Sequence, residues 1–84
     1  MNRIAAGAIY DATREWVEVS GQVLNDGRGV DGVPVTGVGG WGAHSHVVTG
    51  ALGSFGLRLA ATRDAVGASV IVTAGDQCAE FVVR

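Results

Sequence analysis

The 84 residues predict an all-β chain folded as a single small sandwich of six or seven short, mainly antiparallel strands. Three observations predict it. Apolar residues alternate with polar or small ones over residues 16–24 and again over 54–59. Clusters rich in glycine, with aspartate, asparagine or serine in most of them, break the apolar runs at residues 25–32, 39–42, 50–54 and 75–76. No stretch carries a helical period of useful length.

Residues 1–14 hold alanine, glycine and two isoleucines before a polar break, and read as an N-terminal arm or first strand ahead of a sandwich over 15–84. From Trp16, the valines at 17, 19 and 23 share one face with Gly21, while Glu18, Ser20 and Gln22 share the other. Residues 25–32 are too many for a tight hairpin, so a loop crossing to the second sheet is expected. The run 33–38 resumes the alternation with Pro34 pointing outward. A residue without an N–H restricts this run to an edge strand or a strand start. Residues 44–49 lead into the next strand, and Phe55, Leu57 and Leu59 share a face after it. The clearest hairpin joins 68–73 to 78–83 through Gly75-Asp76, a Gly-X pair that suits a type II′ turn. The expected core is Val17, Val19, Val23, Val33, Val35, Val48, Phe55, Leu57, Leu59, Val70, Val72, Phe81 and Val83.

Eighty-four residues support one core, and a chain this short buries only about 60–65% of the surface its unfolded form exposes. The single cysteine forbids an internal disulfide, so contact with a neighbour is the expected source of extra stability. A net charge of −2 with both signs scattered provides no positive field for a phosphate backbone, which excludes nucleic acid as the expected partner. No eighteen-residue apolar run exists, so no membrane span is expected. The segment 4–10 is short for a secretory signal, and Asp11 falls where a cleavage site would begin, so synthesis in the cytoplasm is expected.

Val19, Gly21 and Val23, then Asp31, Gly32, Pro34, Val35, Gly37 and Val38, and later Thr49, Gly53, Phe55 and Leu57, form a recurring pattern. It reads V-x-G-x-V, D-G-x-P-V-x-G-V and T-x-x-x-G-x-F-x-L. The pattern resembles the immunoglobulin-like modules of bacterial and phage proteins and the related carboxypeptidase-regulatory-like, or prealbumin-like, domains, over roughly residues 17–59. The resemblance implies an immunoglobulin-like sandwich serving as a spacer, adhesion unit or decoration without catalysis. Where relatives carry acidic residues in the T-D-x-x-G turn, this chain has Gly50 and Ala51, which implies no ion at that turn.

The residues that could carry chemistry are few. His44 and His46 fall on one side of a strand and could share a metal ion, but a zinc site wants three or four protein ligands, and Cys78 is over thirty residues away. Solvent-facing histidines are the expectation. Cys78 has no helix N-terminus or adjacent base to activate it and reads as a small hydrophobe, buried or at an edge. The glycines around Trp41 lack the following helix and Lys-Ser/Thr pair of a phosphate loop. Asp26 and Asp31 read as turn residues. No nucleophile–base pair or carboxylate pair stands out, so no catalytic residue, cofactor or metal is assigned and an enzyme is not expected.

The leading expectation is a non-enzymatic structural protein: a small decoration or cementing subunit of a phage virion, capsid or tail, binding a larger shell protein. Self-association is a second expected contact. Ile4, Ile9, Tyr10, Trp16 and Trp41 are the candidate interface residues, chosen because apolar arms and tryptophans are favoured at contacts; capping the end of the core is the other reading of either tryptophan. The alternative is a carbohydrate- or cell-envelope-binding module acting through Trp16 or Trp41 at a bacterial cell surface, as part of a longer protein.

Overall fold

A computed structural model describes residues 2–84, with the backbone alone described at Asn2. The chain is a two-sheet β-sandwich. Strands β1 (Asn2–Asp11), β2 (Trp16–Asn25), β3 (Arg28–Gly29) and β6 (Ser54–Ala60) form the first sheet. Strands β4 (Pro34–Gly39), β5 (His44–Val48), β7 (Ser69–Ala74) and β8 (Gln77–Val82) form the second, in the order β5-β4-β7-β8. Every strand pair is antiparallel. β2 is the spine of the first sheet: β1 pairs along all of it on one side, and β6 and then β3 share the other.

Local chemistry sets the connections. Asp26 and Gly27 both take positive φ, 53° and 82°, which is the type I′ geometry of a two-residue hairpin between β2 and β3. Only after β3 does the chain cross to the second sheet, so the 25–32 loop holds a tight hairpin as well as the expected crossing. At Gly75-Asp76 only the glycine has positive φ, 60°, as a type II′ turn requires. Pro34 is the first residue of β4, a central strand, and the strand-start reading of it holds.

The core lies between the sheets and follows the alternation. β6 alternates exposed and buried at every residue, sending Phe55, Leu57 and Leu59 inward against Val17, Val19 and Val23 of β2 and Val35, Val70 and Val72 of the second sheet. Each such side chain contributes about 1.5–3 kcal/mol on leaving water. The sheets come close at Gly37: a Cβ there would lie 2.9 Å from Leu57 Cδ1, so the glycine in mid-strand makes room for the leucine. Ile4, Ala8, Ala65 and Ala74 complete the core.

Val48 departs from the expected core: it is 62% exposed. Register explains it, because Val48 pairs with outward-facing Pro34 and His46 with Thr36, so Val47 turns inward instead. Val33 and Phe81 are only partly buried, packed against the core rather than within it.

One side of the sandwich is zipped. Ala8 forms a parallel bridge with Val83, the Tyr10 N–H donates to the Arg84 carbonyl (2.8 Å), and the Arg84 N–H donates to the Ala8 carbonyl (3.0 Å). These bonds join the C-terminal part of β1 to Val83 and Arg84 across the two sheets.

Candidate functional site

The outer faces of the two sheets differ in chemistry. On the first sheet, the outward residues of β1, β2 and β6 include Ile9, Asp11, Trp16, Glu18 and Arg58, and their charges are paired. Arg58 Nε donates to Glu18 Oε2 at 3.0 Å across the β2–β6 pair, and Arg14 Nη1 donates to Asp11 Oδ2 at 2.8 Å. Trp16 lies among them, with the Arg58 guanidinium 4.5 Å and that of Arg14 5.6 Å from its ring centroid. Both are cation–π distances. The Asp11 carboxylate also accepts the Thr13 and Arg14 N–H groups in the β1–β2 turn. The Arg14 bonds above all hold Asp11 below its usual value of 3.8.

On the second sheet, cross-strand register lines up two rows on the outer face. His44, Val38, Ile71 and Glu80 form one, and His46, Thr36, Thr73 and Cys78 form the other. Val48 and Val82 flank them. Val38, Val48, Ile71 and Val82 are 44–62% exposed, and Glu80 is the one carboxylate on the face. The face is therefore four strands wide, β-branched and almost uncharged. Its His pair and Cys78 lie on opposite edge strands with β4 and β7 between them, so the fold does not bring them together. Among the described residues no three potential metal ligands cluster. Cys78 is exposed on β8, an edge strand of its sheet, so of the buried and edge positions expected for it the structure gives the edge one.

The candidate interface residues scatter. Ile4 is buried in the core and presents no side chain to a partner. Tyr10 is half-buried against the core. Ile9 is 62% exposed and faces outward beside Trp16. Trp16 is half-buried beneath its arginines. Trp41 folds back over Gly39, where a Cβ would lie 2.7 Å from its ring, and Nε1 donates to the Ala60 carbonyl at 2.8 Å. It ties a loop of the second sheet to the end of β6 in the first.

Sequence reasoning missed the outer face of the second sheet. The signal was present in Val70-Ile71-Val72 and Phe81-Val82-Val83, where consecutive apolar residues must fill both faces of a strand. Compared with protein-family models, curated protein sequences and solved structures, the chain matches none. No helix among the described residues is long and apolar enough to cross a membrane.

Proposed function

We propose that this chain is a non-catalytic docking module, and specifically a small decoration or cementing subunit that seats on a larger shell protein of a phage virion. One observation carries the reading: the outer face of the second sheet exposes Val38, Val48, Ile71 and Val82 with a single carboxylate at its edge. Val38 and Ile71 are direct cross-strand neighbours at the centre of this face, and exposed apolar side chains paired in this way on a small domain favour a covering partner. An almost neutral face complements an equally uncharged surface on a large protein, and the charge-depleted centre of such contacts has this composition. The sequence resemblance to phage and bacterial immunoglobulin-like modules supports the same reading. The sugar-platform alternative has less support, because Trp16 is already flanked by two arginines and Trp41 is bonded to Ala60.

The test is co-sedimentation of the chain with particles from its source cells on a density gradient. Wild type is expected in the particle fraction. Ile71→Asp and Val38→Asp, both on the exposed face, are expected at the top of the gradient with unfolding temperatures close to wild type. Wild type recovered only as free protein, or an Ile71→Asp chain that still bands with particles, refutes the proposal.

A further inference from the structure

The outer edge of β1 lies on the first sheet, apart from the outer face of the second. β1 is the outermost strand of its sheet and ten residues long. In a β-strand the N–H and C=O of one residue point to the same side, alternating along the chain. Ala8 and Tyr10 turn theirs towards Arg84. By the same parity Ile4 and Ala6 turn theirs away from β2, where no other strand of the sheet lies. Beyond the zipped end, β1 and β8 border a cleft of about 360 Å³ lined by Ala6, Gly7, Phe81 and Val82 among others.

Natural edge strands are guarded by proline, inward charge, bulges, short length or a covering segment. β5 is only five residues long, and β8 carries Glu80 in its middle. The ladder of β1 with β2 runs through ten consecutive pairs without a bulge, and the segment 4–9 is Ile-Ala-Ala-Gly-Ala-Ile, free of charge and proline. Its small side chains let another backbone approach.

We infer that the 3–7 half of β1 pairs antiparallel with the same segment of a second copy, making one continuous sheet through a twofold axis. Parity restricts the hydrogen-bonded pairs to Ile4 and Ala6. The register that opposes Ile4 to Ala6 of the second copy forms four backbone bonds, counted as two per pair. It places Ala5 against Ala5, and Arg3 against Gly7, where a side chain would meet open space. No like charges face each other directly. Because the contact is small, the expected Kd is about 0.1–1 mM.

Sedimentation velocity on the full chain from about 10 µM to about 1 mM tests this. Wild type is expected to move from monomer towards dimer, with the Ile4 and Ala6 amides gaining protection from hydrogen exchange as concentration rises. Ala5→Lys and Ala5→Glu each place like charges opposite one another and are expected to weaken the dimer at least tenfold. Their equimolar mixture is expected to restore it. A wild type that stays monomeric, or a dimer as strong in Ala5→Lys as in wild type, overturns the inference. If either variant unfolds, concentration-independent exchange at Ile4 and Ala6 in wild type overturns it equally. Shell binding is read on particles and this pairing on the isolated chain, so the two fail separately.

Discussion

Thr49 and Val33 hold each other twice. The Thr49 N–H donates to the Val33 carbonyl at 2.9 Å, and the Val33 N–H donates to Thr49 Oγ1 at 2.9 Å. The same hydroxyl donates to the Val30 carbonyl at 2.6 Å, and the Thr49 carbonyl accepts the Gly32 N–H at 3.0 Å. One buried threonine therefore fixes the segment that carries the chain from the first sheet to the second.

Thr49→Val keeps the shape and removes the hydroxyl, leaving the part-buried Val33 N–H and Val30 carbonyl without that partner. The expected loss is about 2–3 kcal/mol, read as a lower urea midpoint at unchanged slope. Thr49→Ser should recover most of it. Equal losses for both substitutions would assign the effect to packing instead.

Glycines separate by what surrounds them. A Cβ on Gly29 would lie 1.9 Å from the Leu52 carbonyl oxygen, a backbone atom, so Gly29→Ala must displace the 51–53 turn. It should cost more than about 2 kcal/mol. Gly56, in β6, has nothing within 4 Å of its Cβ position, and Gly56→Ala should be neutral or stabilising by up to about 1 kcal/mol. Thermal unfolding of the two variants side by side checks the contrast.

Trp41→Phe keeps a ring over Gly39 and removes the bond to Ala60. A loss of about 1 kcal/mol is expected. Trp41→Ala also strips a ring from the core margin, for a total of about 3–5 kcal/mol. Tryptophan fluorescence of the Phe variant reports Trp16 alone, because the chain has two tryptophans. Addition of salt should change that signal if the Arg58 and Arg14 contacts weaken.

Asp11 sets a pH dependence. Its pKa is lowered in the fold, so its contribution is present above the unfolded value, near 3.8, and is lost as pH falls through the lower folded value. The β1–β2 turn should therefore loosen only in strong acid, and the carboxyl midpoint followed by NMR should lie below 3.8. Arg14→Ala should move that midpoint upward.

Strand periods and turn residues carried the fold, since a period of two in β2 and β6 leaves one way to bury Val17, Val19, Leu57 and Leu59. Val48 was misplaced because β5 reads His-Ser-His-Val-Val, in which the two valines offer opposite faces and only pairing to Pro34 decides between them. Trp41 is a long-range case: nothing near it in sequence announces the Ala60 carbonyl that captures its indole. The apolar outer face was legible in its triple apolar runs, whereas the pairing of Trp16 with Arg58 needed the β2–β6 register.

The join between β1 and Arg84 has a mechanical corollary. β1 enters it from residue 2 and the chain end leaves it at Arg84, with the joined segments running parallel. Tension applied at the two ends pulls these hydrogen bonds sideways together rather than peeling them one by one. A domain tethered at both ends would thus meet stretching with its whole clamp at once.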